Sequence, residues 1–297
     1  MAEAYFVYLP DRGILTVSGP DRRSFLQGLV SNDVEKISGE RAVYAALLTA
    51  QGKYLHDFMM IEVGDAIWLD AEAARLADLK RRLSMYRLRA KVTLAELPEM
   101  AVAAVFGEGA LAALDLPDEA GVAQLREGAA AMVDPRLAAL GARVILPRES
   151  LRATLAGLGL AEADFAQWDR HRLALGIPDG SRDLVPEKSI LLEAGFDELH
   201  GVDWQKGCYI GQELTARTKY RGLIKKRLFP VRIDGPAPEP GTIIYADGRD
   251  AGEIHSSHSG RGLALLRLDA ISGKSALSAE GATLHPHRPD WMQIPQE

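Results

Sequence analysis

The residues best suited to chemistry lie in one stretch, Lys206-Gly207-Cys208-Tyr209-Ile210-Gly211-Gln212-Glu213. Cys208 is the only cysteine, and glycines at 207 and 211 permit turns and close approaches that other residues resist. The run from Gly211 to Arg217 predicts a helix, which puts Cys208 just ahead of a positive helix end. That position, with a lysine two residues away, favours a reactive or metal-binding thiolate. A buried, inert cysteine is the alternative that composition leaves open.

Basic residues form two clusters that contain no acidic residue. One follows the cysteine stretch and comprises Arg217, Lys219, Arg221, Lys225, Lys226 and Arg227. The other comprises Lys80, Arg81, Arg82, Arg87, Arg89 and Lys91. In a chain of net charge −6, two such clusters predict a site for a polyanionic ligand or an acidic partner, with ordinary solvated surface as the alternative.

The bulk properties exclude several classes of protein. A net charge of −6 argues against a general nucleic-acid binder, which relies on neutralising phosphates. A single cysteine forms no intrachain disulfide. We find no run of about 18 apolar residues that would span a membrane, and the first residues lack the pattern of a signal peptide. We therefore expect a cytoplasmic protein without nucleic-acid or membrane partners.

The first hundred residues alternate strand-like and helix-like patterns. Strands are predicted at 14–17, 43–48 and 58–61, and an amphipathic helix at 76–86. Directly after it, Leu88, Ala90, Val92 and Leu94 alternate with basic residues. Period two predicts a strand with one apolar and one basic face.

The remainder divides into a scaffold and a β-rich end. Residues 97–157 are rich in Ala, Gly and Leu and almost free of distinctive side chains, which indicates scaffold. A helix is predicted at 162–175. Beyond Lys226, short apolar runs separated by turns, among them Asp247-Gly248, predict a small antiparallel barrel or sandwich with a boundary near residue 225.

The cysteine stretch resembles the signature of the YgfZ family, relatives of the glycine-cleavage aminomethyltransferase, the T-protein. The continuation Leu214-Thr215-Ala216-Arg217-Thr218 and the run Ile224 to Val231 look closest to the branch of the mitochondrial iron–sulfur assembly factor. Tyr86-Arg87-Leu88-Arg89-Ala90-Lys91-Val92 and the pair Gly52 and Asp57 are similar too. The likeness covers nearly the whole chain and is strongest from 181 to 231.

The resemblance implies an α+β fold with a T-protein-like arrangement of three modules around a central opening. We expect an N-terminal α+β module at 1–95, a middle α+β module at 96–224 containing the cysteine signature, and a C-terminal antiparallel β-barrel at 225–297. It further implies binding of tetrahydrofolate or a derivative in the opening. The expected role is assembly or repair of iron–sulfur clusters, mainly 4Fe–4S, with carrier or client proteins as partners.

The resemblance also implies residue roles. It assigns chemistry to Cys208 and Asp57. Folate contacts are expected from Tyr44, Glu193, Lys206, Gly207, Tyr209, Gly211, Gln212, Glu213 and Arg217. The basic clusters match the carboxylates of a folate glutamate tail. A 4Fe–4S cluster usually needs four thiolates, so Cys208 contributes at most one ligand to a transient cluster shared with a partner or second copy.

One departure separates the chain from T-proteins. Where T-proteins have a pterin-contacting Glu after Arg-Leu, this chain has Ala174 after Arg172-Leu173. Glu193 is a candidate to replace that acid. Two alternatives to a folate-dependent assembly factor stay open: a folate-dependent aminomethyltransferase or demethylase, for which Asp57 is the relevant residue, and a non-catalytic adaptor for cluster carriers.

Overall fold

The computed structural model describes residues 4–126, 128–222, 224–273 and 275–294. The strands are β1 Ala4–Tyr8, β2 Arg12–Ser18, β3 Val43–Leu48, β4 Tyr54–Val63, β5 Ala66–Glu72, β6 Thr93–Glu96, β7 Met100–Gly107, β8 Ala123–Arg126, β9 Ala129–Val133, β10 Ala142–Pro147, β11 Ala161–Glu162, β12 Lys226–Asp234, β13 Ile243–Ala246, β14 Arg249–His258, β15 Arg261–Arg267, β16 Leu277–Ala279 and β17 Ala282–Pro286. The α-helices are α1 Arg22–Gln27, α2 Leu76–Tyr86, α3 Ala110–Ala113, α4 Leu151–Gly157, α5 Phe165–Leu175, α6 Gly180–Asp183, α7 Gln212–Tyr220 and α8 Leu268–Ser272.

The chain divides into two compact units, each made of several segments. Unit 1 comprises Met1–Leu48, Leu55–Trp168 and Leu199–Ile210. Unit 2 comprises Thr49–Tyr54, Asp169–Glu198 and Gly211–Glu297. The segment with the cysteine therefore belongs to unit 1, although its sequence neighbours on both sides belong to unit 2. The three modules expected from the sequence stay a prediction.

Unit 1 contains two largely antiparallel sheets. One has the order β11-β1-β7-β10-β9-β8, in which only β1 and β11 run parallel among the pairs described. The other has the order β3-β4-β5-β2-β6. Their apolar faces form two separate cores, one around Phe6 and Val105 and the other around Leu15 and Phe58. The predicted strands at 14–17, 43–48 and 58–61 and the helix at 76–86 are confirmed.

The strand predicted across Leu88 to Leu94 is largely wrong. Only Thr93–Glu96 is a strand, and Leu88 has a left-handed backbone with φ of +41°. After helix α2 the chain makes a turn, in which the amide of Ala90 donates to the carbonyl of Arg87 at 2.7 Å. The amide of Lys91 donates to the Asp21 carboxylate, also at 2.7 Å. The backbone groups that would form hydrogen bonds to a neighbouring strand are therefore bonded within the turn or to the Asp21 side chain.

Unit 2 contains a closed antiparallel barrel with strand order β12-β15-β14-β13-β16-β17. Its interior is apolar and includes Phe229, Ile254 and Leu266. Asp247 and Gly248, with φ of +47° and +74°, form the tight turn between β13 and β14, as their sequence predicts. The predicted α+β fold with a C-terminal antiparallel barrel is confirmed. Among the described residues, none of the helices has the length and apolar composition needed to cross a bilayer.

Candidate functional site

Cys208 is exposed at the surface of unit 1. Its neighbour Gly207 is exposed too, whereas Lys206 and Tyr209 on either side of the pair are buried. The alternative of a buried cysteine is therefore wrong. The thiol is accessible on a segment whose flanking side chains are anchored in the protein.

Lys206 provides the first anchor. Its ammonium donates to the backbone carbonyls of Val30 and Asn32, each at 2.7 Å, and lies 5.3 Å from the centre of the Tyr209 ring. Burial lowers the pKa of Lys206 to about 8, against the opposing charges of Asp33 and Asp203. The side chain predicted to contact a cofactor is thus directed at the protein backbone, where it fixes the turn before Cys208.

Asp203 provides the second anchor. Its carboxylate accepts from the amides of Gln205 at 2.6 Å and Lys206 at 2.9 Å, and it pairs with the ammonium of Lys36. Burial alone raises the pKa of Asp203, but the hydrogen bonds from Lys36 and the two amides lower it overall. A negative charge is thereby held inside the turn, five residues before the cysteine.

Ser31 and Asn32 attach the start of the same segment. The Ser31 hydroxyl donates to the carbonyl of Gly201 at 2.6 Å. The Asn32 side-chain amide donates to the carbonyls of His200 at 2.6 Å and Tyr44 at 2.7 Å. Asn32 thus connects the cysteine segment to strand β3. Sequence reasoning missed Ser31, Asn32 and Asp203. For Ser31 and Asn32, the available signal was the polar run Ser31-Asn32-Asp33 after the predicted helix.

Tyr44 and Asp57 form a buried pair. The Tyr44 hydroxyl donates to the Asp57 carboxylate at 2.8 Å, and the two residues are 1% and 5% exposed. Burial, followed by the charge of Asp57, raises the pKa of Tyr44 well above its ordinary value. The phenol therefore stays protonated and serves as a hydrogen-bond donor. The functional roles that the resemblance implies for Tyr44 and Asp57 stay a prediction.

A buried network of ion pairs surrounds this tyrosine. The Arg136 guanidinium lies 5.5 Å from the Tyr44 ring centre and donates twice to Asp134, at 2.8 and 2.9 Å. Burial alone raises the pKa of Asp134, but the charge and hydrogen bonds of Arg136 lower it overall. Arg143 lies between Asp134 and Asp70, at 3.4 and 3.3 Å, and Arg12 pairs with Asp70 at 2.7 Å.

This network corrects the view of residues 97–157 as featureless scaffold. Asp134, Arg136 and Arg143 all come from that stretch and are buried. A detectable signal existed, since Arg143 lies inside the apolar run of β10 and Asp70 inside that of β5. Buried charges must be paired, so isolated charges within apolar strands predict partners.

The remaining candidate residues belong to unit 2. Gly211, with φ of +84°, precedes helix α7, so the predicted helix is confirmed. The Thr215 hydroxyl donates to the Gly211 carbonyl at 3.0 Å. Gln212 is half-buried, whereas Glu213 and Arg217 are exposed. Gly52 packs here so closely that a Cβ would lie 2.9 Å from the Gly211 oxygen.

Glu193 is a half-buried acid in unit 2. Burial raises its pKa, and the nearby positive charges of Lys53 and Lys226 oppose that rise. Its shelter and its basic neighbours suit a hydrogen-bonding ligand. A pterin has a flat ring with a polar edge and needs sheltered polar partners. Each unit offers one sheltered carboxylate of this kind, Asp57 in unit 1 and Glu193 in unit 2, and each by itself fits the group. Among the described residues, no cluster of three or more His, Cys, Asp or Glu side chains is arranged to hold a metal ion.

The sequence is similar to known proteins over almost its full length. Residues 225–294 match the C-terminal β-barrel domain of CAF17. The chain is 37% identical to the human mitochondrial iron–sulfur cluster assembly factor IBA57, and the alignment covers 95% of this chain and 84% of the human protein. The mouse protein of the same name is 36% identical with the same coverage. The predicted cytoplasmic location is wrong by this comparison, because these relatives are mitochondrial.

A solved structure shares the fold. The crystal structure of the glycine cleavage system aminomethyltransferase T from Bartonella henselae superimposes with a TM-score of 0.81, over 98% of this chain and 87% of the other. The two sequences are 16% identical. At that identity the likeness concerns the fold alone.

Proposed function

Because the chain belongs to the IBA57 family, we propose that it assists the assembly of iron–sulfur clusters, mainly 4Fe–4S, in other proteins. The membership agrees with the resemblance noted in the cysteine signature. The relatives carry this role in their names, and those names support a mitochondrial place of action. Iron–sulfur carriers and client enzymes are the partners that follow from this role.

One observation carries the proposal: the only thiol is exposed on a segment that buried side chains hold in place. Lys206 and Asp203 fix the turn before Cys208 through hydrogen bonds to the backbone. A fixed, accessible thiol is suited to ligate iron or to accept a cluster.

A single thiol limits how the cluster is held. Iron–sulfur clusters usually have four protein ligands, and this chain offers one cysteine. We therefore propose that Cys208 supplies one ligand to a cluster that a carrier, a client or a second copy completes. Anaerobic addition of iron and sulfide to the isolated monomer, without partner or added thiol, is expected to give no stable cluster. A stoichiometric cluster on the monomer would refute this view.

The function can be tested in cells that lack their own homologue. The wild-type chain is expected to restore the activity of a 4Fe–4S enzyme, and Cys208→Ala is expected to leave it at the level of the empty control. The matched control is Cys208→Ser combined with Ser24→Cys, which keeps one exposed thiol at another surface position. Full activity in Cys208→Ala or in the relocated variant would exclude a specific role for Cys208.

We further propose that the chain binds tetrahydrofolate or a derivative. The support is the sheltered pair of Tyr44 and Asp57 and the half-buried Glu193 beside two lysine charges. Calorimetric titration with tetrahydrofolate tests this directly. Asp57→Asn and Glu193→Gln are each expected to weaken binding at least about tenfold, the loss of one charge-assisted hydrogen bond. The exposed Asp115→Asn is the control and should bind like wild type.

One-carbon transfer to or from folate is a second candidate, favoured by the buried hydrogen bond between Tyr44 and Asp57. Ala174 stands where T-proteins have an acid, which weighs against it. The two functions separate by substitution. If Asp57→Asn abolishes cellular function while Cys208→Ala is silent, the chain is a transferase. If both are silent and reversing the charges of Lys225 and Lys226 is not, it is an adaptor.

A further inference from the structure

The last two residues of helix α2 and the turn that follows it, together residues 85–91, expose apolar side chains. Met85 is 56% exposed, Tyr86 44% and Leu88 89%. Single exposed apolar residues are common on protein surfaces. Three lie within four positions of the chain here, and clustered exposed apolar side chains mark sites of interaction. We call residues 85–91 the Leu88 turn.

The backbone holds Leu88 in an unfavourable conformation. Its φ of +41° lies in the left-handed region, which is sterically costly for residues with a side chain. Hydrogen bonds on both sides fix the turn: the amide of Arg87 donates to the Ser84 carbonyl at 3.2 Å, and that of Lys91 to the Asp21 carboxylate at 2.7 Å. The fold thus keeps an apolar side chain in water and in a strained position. Neither feature stabilises the chain itself.

The same turn presents positive charge. Arg87, Arg89 and Lys91 are exposed, and no ion pair holds their side chains within the part of the chain that the structure describes. The acids closest in sequence are engaged elsewhere. Asp78 binds Arg81, Arg82 and His56, and Glu96 lies 3.8 Å from Lys80.

We propose that the Leu88 turn is the docking surface for an acidic protein partner. Leu88 enters an apolar pocket of that partner, and Arg87, Arg89 and Lys91 pair with carboxylates around the pocket. The partner is a carrier protein of iron–sulfur clusters, an identification that rests on the proposed function. Charge complementarity supports this occupant, because uncompensated cations on a chain of net charge −6 attract an acidic surface. Nucleic-acid phosphates offer no apolar pocket for Leu88, so a nucleic acid is not the partner. The net negative charge of the chain repels an anionic bilayer, so a membrane is not the partner either.

Two variants of the full chain separate docking from stability. Leu88→Gly removes the side chain and relieves the left-handed backbone, so the chain is expected to unfold at an equal or higher urea concentration. Arg87→Glu/Arg89→Glu/Lys91→Glu reverses the charges. The matched controls are Leu158→Ser, at a residue 38% exposed, and Arg126→Glu, at a side chain 59% exposed. Both control residues lie outside the turn.

Calorimetry against each purified iron–sulfur carrier protein of the source cell, at about 50 and 200 mM salt, provides the test. One carrier is expected to bind the wild-type chain and both control variants alike. Leu88→Gly and the charge reversal are expected to weaken that binding at least tenfold, and the charge reversal should also invert its salt dependence, because salt screens the new repulsion. Equal binding by all variants, or no binding of any carrier to wild type, overturns the proposal. The proposal is also overturned if the wild-type chain binds phosphatidylglycerol vesicles and the same substitutions abolish that binding.

The outcome is independent of the proposed function. If Cys208→Ala blocks cluster delivery while the Leu88-turn variants bind and deliver normally, the function stands and the docking surface is elsewhere. If Cys208→Ala delivers clusters normally, the proposed function fails whatever the turn does.

Discussion

The side-chain amide of Asn32 lies 2.7 Å from the backbone carbonyl oxygen of Tyr44. The same amide donates to the carbonyl of His200 at 2.6 Å. One side chain therefore joins the strand with the buried tyrosine to the segment with the exposed thiol. The sequence predicts functional residues in both of these parts of unit 1. It gives no indication that Asn32 connects them.

Asn32→Ala tests this connection. Removing the amide leaves two carbonyls without that donor, and we expect unfolding free energy to fall by about 1–3 kcal/mol. Urea unfolding gives the loss, and hydrogen exchange should show faster exchange at 199–210. Gln124→Ala, which removes an amide that donates to an exposed carbonyl of Asp115, is the control and should change stability by less than about 0.5 kcal/mol. Equal effects of the two substitutions would contradict the role of Asn32.

Arg136→Met is expected to be among the most harmful single substitutions in unit 1. It leaves the buried Asp134 without its main partner, and breaking a buried ion pair in this way costs about 3–5 kcal/mol. Arg126→Met removes a similar pair with Asp115, in which both side chains are exposed, and should cost at most about 1 kcal/mol. Urea unfolding of the two variants compares the loss of a buried Arg–Asp pair with the loss of an exposed Arg–Asp pair. A similar loss in both variants would show that burial of the Arg136 pair is not what matters.

Lys206 gives the stability a pH dependence that can be measured. Burial lowers the pKa of its folded-state ammonium to about 8, while the unfolded chain keeps the proton up to about 10.4. Between these values the unfolded state binds more protons, so raising the pH favours the folded state by up to about 1.4 kcal/mol per unit. Below pH 8 this contribution is constant.

The measurement is the difference in unfolding free energy between wild type and Lys206→Met at pH 7.5, 8.5 and 9.5. The difference should shift in favour of wild type as pH rises. Lys188→Met, at an exposed lysine, is the control, and its difference from wild type should not change with pH. A flat difference for Lys206→Met would mean that the amine is not sheltered from water.

Tyr44→Phe removes the phenol that donates to Asp57 while it preserves the ring. A hydrogen bond to a charged group contributes about 1.5–3 kcal/mol, so a loss of that size is expected in thermal or urea unfolding. Tyr245→Phe, at a tyrosine 47% exposed, should be neutral. If Tyr44→Phe is as stable as wild type, the hydroxyl does not support the Asp57 carboxylate.

Sequence patterns were sufficient for most elements but not for the connections among them. The period of apolar residues predicts α2 and the β12 to β17 region because each element has one face to bury. The alternation from Leu88 to Leu94 misleads because the Lys91 amide donates to the carboxylate of Asp21, 70 residues away, and this hydrogen bond holds Lys91 in a turn. Periodicity contains no information about partners so distant in sequence.

The candidate site shows the same limit. A lone cysteine between glycines predicts a functional residue, and the exposure of Cys208 is compatible with that prediction. The ammonium of Lys206 donates to the carbonyls of Val30 and Asn32, two contacts that the sequence did not predict. Charges within apolar strands indicate that buried ion pairs exist. The sequence does not show that Arg136, Asp134 and Arg143 form one network, because these residues lie on different strands or loops.

The contacts that hold the cysteine segment also bear on how the site forms during folding. Lys206 and Val30 are 176 residues apart, and His200 and Asn32 are 168 apart. Closing loops of that length is entropically costly and comes late relative to local structure. During synthesis, the loop at residues 30–33 emerges long before its partners and stays solvated until they arrive. The contacts that anchor the segment of the single thiol therefore form only after residue 206 has been synthesised.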